Sequence, residues 1–102
     1  MAVNDSQLLI HEEGHFDITE VIARKFRKTL NTKIRYFSDI DTLGTMVNIL
    51  FDYKEELDSQ YDEETTHGIN KEKQLEWNKT IQKMLDSLKE YENPNGSITL
   101  KN

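Results

Sequence analysis

The sequence predicts a mainly α domain in which one long helix packs against an antiparallel helical pair. Three observations predict it. Apolar residues recur at steps of three and four through three long stretches, the period of a helix with one buried face. Capping residues and chain breakers bracket those stretches. The 102 residues are 35% hydrophobic and 31% charged, which is material for one thin core and not for two domains. A domain of this size is marginally stable unless something further ties it down.

The first stretch runs from about Ser6 to Leu30, and Asn4, Asp5 and Ser6 each suit its N-cap. Leu8, His11, His15, Ile18, Ile22 and Phe26 share one face, and the run Leu8-Leu9-Ile10 is expected to pack inward. Gly14 costs this helix about 1 kcal/mol relative to Ala. The alternative is a break at Gly14, with Asp17 and Glu20 capping a new helix, which takes His15 out of register with His11. Asn31 to Asp41 is a connection in which Ile34, Tyr36 and Phe37 either pair as a short strand or simply pack. A second helix follows from about Asp41 to Glu64, with Leu43, Met46, Val47, Leu50, Leu57 and Tyr61 as its stripe. Thr65-Thr66-His67-Gly68 breaks that pattern. Asn70 caps a third helix that runs to about Tyr91, with Gln74, Trp77, Ile81, Met84, Leu85, Leu88 and Tyr91 on one face. Asn93-Pro94-Asn95-Gly96 is turn chemistry, so the core is expected over 1–92 and a loose tail over 93–102.

Charge narrows the partners. The formal net charge is −6 and the pI about 5.0, an acidic balance that argues against nucleic acid. The distribution is uneven: Arg24, Lys25, Arg27, Lys28, Lys33 and Arg35 are basic, whereas Asp52, Glu55, Glu56, Asp58, Asp62, Glu63 and Glu64 are acidic. Two solvated helix faces that attract each other account for this, and a phosphate-binding patch on the first helix is the alternative. No apolar run approaches the roughly 20 residues of a membrane span. Met1 to Asp5 lacks the basic start and apolar stretch of a signal peptide. There are no cysteines, so a metal site here must use His, Asp or Glu.

Such residues are concentrated in His11-Glu12-Glu13-Gly14-His15, an H-E-x-x-H pattern. Two histidines four apart on a helix stand one above the other, so both rings can reach one tetrahedral zinc ion. The glutamate between them, Glu12, sits where it can take a proton from an activated water and pass it to a leaving amine. A catalytic zinc wants three protein ligands. The third histidine of the chain, His67, lies just past the second helix, and an antiparallel return brings that point toward the early turns of the first. Glu20, five residues after His15, is turned away from the ligand face. The plainer alternatives are that His67 is an exposed loop residue, and that His11 and His15 merely edge a core with Glu12 and Glu13 in solvent.

His11-Glu12-Glu13-Gly14-His15-Phe16-Asp17-Ile18, followed by Glu20 and Ala23-Arg24, resembles a bacterial family of predicted secreted zinc-dependent proteases, long catalogued as a domain of unknown function. Tyr61-Asp62-Glu63-Glu64-Thr65-Thr66-His67-Gly68 resembles its second motif, a Tyr-Asp pair followed by Thr and His-Gly. The continuation Asn70-Lys71-Glu72-Lys73-Gln74 with Trp77 is similar to Bacteroidetes-like versions. The resemblance spans about Leu8 to Ile81. It implies zinc held by His11, His15 and His67, Glu12 as general base, and Tyr61 and Thr66 as groups that orient a ligand or stabilise an oxyanion. It implies a peptide or protein substrate and a secreted or periplasmic setting, and it leaves Asp17 and Arg24 to orient ligands or form an ion pair. Family members carry a further segment before the zinc helix, expected to supply strands. Here the helix begins almost at Met1, so the resemblance implies zinc binding more strongly than cleavage.

The sequence thus reads as a zinc-dependent peptidase core. Two other readings fit the same residues: a non-catalytic domain stapled by zinc, and a metal-free acidic helical module that docks on a basic partner.

Overall fold

The computed structural model describes residues 4–32, 36–37, 40–93 and 99–100. It is mainly α, as the periodicity predicts. Helix α1 spans Asp5–Thr32, α2 spans Ile40–Thr65 and α3 spans Lys71–Ser87, followed by a short 3-10 helix at Lys89–Tyr91. Lys33, Ile34 and Arg35, the Pro94-Asn95-Gly96 turn and most of the expected tail lie outside the described residues. A two-residue strand, β1 (Tyr36–Phe37), pairs in parallel with β2 (Thr99–Leu100), so the strand alternative for the connection is realised and its partner comes from the expected tail.

Helices α1 and α3 begin where the sequence provides a cap. Asn4 Oδ1 accepts from the Gln7 amide (2.8 Å) while Gln7 Oε1 accepts from the Asn4 amide (3.3 Å), a reciprocal box that selects Asn4 from the three candidate caps. Asn70 Oδ1 accepts from the Lys73 amide at 3.0 Å and starts α3. Helix α1 runs unbroken through Gly14. The reason lies in a neighbour: a Cβ at Gly14 would overlap the Tyr61 hydroxyl and Cζ, so the missing side chain lets the Tyr61 ring pack on the helix.

Helix α2 lies antiparallel to α1, with His11 facing Asp62 and His15 facing Asp58. Helix α3 returns alongside α1, with Gln74 beside His11 and the Leu85 carbonyl beside Arg24. Where the three meet, Ile18, Ile22, Leu57, Tyr61, Trp77 and Ile81 form the core, and Tyr61 packs edge-on to Trp77 with ring centroids 5.5 Å apart. These are stripe positions of the sequence. Leu8, Leu9 and Ile10 depart from expectation and lie exposed (49, 61 and 43%). Three successive helical residues sweep most of a turn and cannot all face one core.

The basic residues of α1 also find other partners than expected. Arg24 pairs with Glu20 (2.8 Å) and donates to the Leu85 carbonyl (2.8 Å), while Arg27 donates to the Tyr91 carbonyl (2.6 Å). Both therefore satisfy carbonyls at the C-terminal end of α3 and its 3-10 extension, where cations are favoured. Arg24 takes Glu20, not Asp17, as its ion-pair partner.

Candidate metal centre

The H-E-x-x-H segment sits in the middle of this arrangement, between α2 and α3. His11 is buried, His15 partly so, and Glu12 is exposed. His11, Glu12 and His15 each offer a ligand atom within 4.8 Å of the others, so the three residues singled out by the motif stand together.

Tyr61 forms the floor. Its ring stacks on that of His11 (centroids 4.5 Å apart, planes 7° apart) and meets His15 edge-on at 4.9 Å. Its hydroxyl donates to the His11 carbonyl at 2.9 Å. With that proton engaged, the Tyr61 oxygen accepts from Gln74 Nε2 at 2.6 Å. Burial pushes the Tyr61 pKa up, which keeps the hydroxyl protonated for this bond. The hydroxyl expected to orient a ligand or stabilise an oxyanion is bonded to the His11 carbonyl and to Gln74, and so joins α1, α2 and α3.

These bonds fix the state of His11. Because Gln74 Nε2 points at Tyr61, its Oε1 faces His11 Nδ1 at 3.0 Å. The Thr65 hydroxyl, 3.4 Å from the same nitrogen, donates to the Tyr61 carbonyl (2.7 Å) and can only accept from the ring. His11 therefore carries its proton on Nδ1. His15 stands between two carboxylates, with Nδ1 2.8 Å from Asp58 Oδ1 and Nε2 turned to Asp62, while Lys54 holds the other Asp58 oxygen at 2.6 Å.

Both rings are left presenting Nε2 to one atom. Asp62 Oδ1 lies 2.8 Å from Nε2 of His11 and 2.7 Å from Nε2 of His15. Two imidazole lone pairs facing a carboxylate oxygen repel unless positive charge lies among them, as protons on both Nε2 atoms or as a bound cation. The electrostatics agree. Burial works against charging His15, but its bonds to Asp58 and Asp62 outweigh this and raise its pKa. Burial likewise works against the Asp62 carboxylate, and its bonds with His11 and His15 prevail and hold its pKa below the ordinary value. Nε2 imidazole nitrogens whose Nδ1 protons are tied to oxygen acceptors are the usual form of histidine toward zinc, so the residues present fit that ion.

His67, the third histidine, stands at the rim. It is 76% exposed, and its Nδ1 lies 3.9 Å from Asp62 Oδ1. The turn that carries it does approach His11, as the antiparallel return implied: a Cβ on Gly68 would meet His11 Cβ at 2.9 Å. Thr66, the other candidate of the second motif, is exposed at φ 52°. The residues missed by the motif reading are Asp58, Gln74 and, as a direct partner of both histidines, Asp62. Asp58 was legible only as part of an acidic run, and Asp62 also as the Asp of the second motif with no role attached, although their spacing of four matches that of His11 and His15. Among the described residues, no helix is long and apolar enough to cross a membrane. Comparisons with protein-family models, with curated proteins and with solved structures return no match to this chain.

Proposed function

We propose that this chain is the core of a zinc-dependent peptidase, in which His11 and His15 hold the ion and Glu12 is the general base. The observation that carries the reading is the placement of the two histidines, each with Nδ1 against an oxygen and both with Nε2 at Asp62 Oδ1, where an ion would take the place of the Nε2 protons. His11 and His15 would hold the ion, which would supply Lewis acidity there, lowering the pKa of a bound water toward about 7 and polarising a carbonyl.

The chain's own residues supply the remainder. Glu12, exposed beside buried His11 and within 4.8 Å of the ligand atoms, accepts the water's proton and returns it to the leaving amine. Tyr61 and Gln74 hold His11 from behind, so the ring does not turn when a substrate enters. A peptide substrate follows from the two sequence motifs and from the reaction that a zinc–glutamate pair performs.

Glu12→Gln is the test. It is expected to keep zinc and fold while lowering the cleavage of casein or a peptide library by about 100- to 10,000-fold. Equal cleavage by the variant and the wild type would overturn the role of Glu12. One observation favours a second reading, a zinc that only staples the fold: an ion at His11 Nε2 would join α1 to α2, and His11 Nδ1 already bonds Gln74 of α3. In that case the wild type binds zinc and cleaves nothing.

A further inference from the structure

We infer that Asp62 supplies the third protein ligand of this metal, and that Asp58 and Gln74 are positioning residues that set the two imidazole rings for it. The inference rests on the zinc reading above and deepens it.

Helix α2 presents Asp58 and Asp62 at the same spacing of four as His11 and His15 on α1. Because the helices run antiparallel, the two pairs meet in register, each rising one turn along its helix. The pairs are used differently. Asp62 Oδ1 is at hydrogen-bond distance, within 2.8 Å, of Nε2 of both His11 and His15, so an ion taking the place of the Nε2 protons would meet this carboxylate as well as the two rings. Asp58 instead takes the far side of the His15 ring, at Nδ1, with its second oxygen neutralised by Lys54. Carboxylate, imidazole and metal in series is a recurring arrangement that fixes the ring and raises its basicity. Gln74 does for His11, with a neutral amide, what Asp58 does for His15. The result is a two-histidine, one-carboxylate set, a donor combination that catalytic zinc uses.

His67 is less well placed. Its ring is largely in solvent, its approach is to Asp62 at 3.9 Å, and it rides on a turn outside α2. Asp62 is on the helix itself and one-third exposed, with its position fixed by the α1–α2 packing.

The test is zinc affinity, measured by competition with a chromophoric chelator on the full chain. The variants are Asp62→Asn, Asp58→Asn and His67→Ala, with far-UV circular dichroism as the folding control. Asp58→Asn is expected to weaken zinc by about 10- to 100-fold, the range for a partner of a ligand. Asp62→Asn should weaken it by more than that, and His67→Ala by less. Cobalt substitution adds a readout that a structural role would not move: the visible bands should shift in Asp62→Asn, because a ligand has changed, and keep their positions in His67→Ala. Near-wild-type zinc affinity and cobalt bands in Asp62→Asn, with both lost in His67→Ala, would overturn the assignment and leave the zinc reading standing. No zinc uptake by the wild type would overturn both.

Discussion

At the scale of single residues, the turn after α2 carries the strain that places the second motif. Thr66, His67 and Gly68 have φ of 52°, 55° and 93°, three successive left-handed residues. The His67 amide bonds back to the Asp62 carbonyl (2.9 Å) and the Thr66 amide to that of Glu63 (3.2 Å), which closes the helix with the bond pair that usually has glycine at its centre. Thr66 occupies that place, and a β-branched residue there is strained. Thr66→Gly is therefore expected to raise stability by about 1 kcal/mol in chemical denaturation; an unchanged or lower midpoint would contradict the strain. Gly68 is the opposite case. Its φ excludes most side chains, and its Cβ would press on His11 Cβ and Cγ at 2.9 and 3.1 Å. Gly68→Ala should cost about 1–3 kcal/mol and also displace the His11 ring. A wild-type melting curve together with wild-type zinc affinity would refute that coupling. The sequence showed His-Gly as a break in the pattern and as the end of the second motif, without a reason for the glycine. The need for glycine comes from a helix more than fifty positions away, which no local reading reaches.

Among the elements, what was legible was periodicity and capping. The stripes through Ile18, Ile22, Leu57, Tyr61, Trp77 and Ile81 are the core, and Asn70 caps α3, because both signals are local to one helix. What joins one helix to another was not legible. Gly14 looked like a weak point of α1 and is the seat of the Tyr61 ring. Arg24 and Arg27 looked like a charged face and serve as caps for carbonyls on the α3 side. Glu20, rejected as a ligand by its angle, is what holds those two arginines in place. Its hydrogen bond from Arg24, helped by Arg27, keeps its pKa below the ordinary 4.5 despite partial burial. A depressed carboxyl stabilises the fold above its unfolded pKa, and that stabilisation is lost as pH falls through the folded value. The stability gap between the wild type and Glu20→Gln is thus expected to be full near about pH 6 and to close toward about pH 3. A gap that is constant over that range would mean the Arg24–Glu20 pair contributes nothing through charge.

The whole molecule is elongated, 57 × 24 × 18 Å, and its core is confined to the region where the three helices cross. That region is also where the histidines lie, so fold and site share one set of contacts. The composition foretold a thin core in need of a tie. It did not foretell that the tie would be a polar cluster, since the acidic half of that cluster sits in a run that reads as solvated surface. A cation held by α1 and α2 would bind the folded chain and not the unfolded one. Zinc at a thousand times its dissociation constant should then add about 4 kcal/mol, read as a higher melting temperature that chelator reverses.

Calorimetric titration of zinc into chelator-treated protein tests most directly the proposal that His11 and His15 hold a metal. One site per chain is expected, with binding lost in His11→Ala and in His15→Ala. Absence of zinc binding by the wild-type chain, or equal binding by those variants, would contradict it.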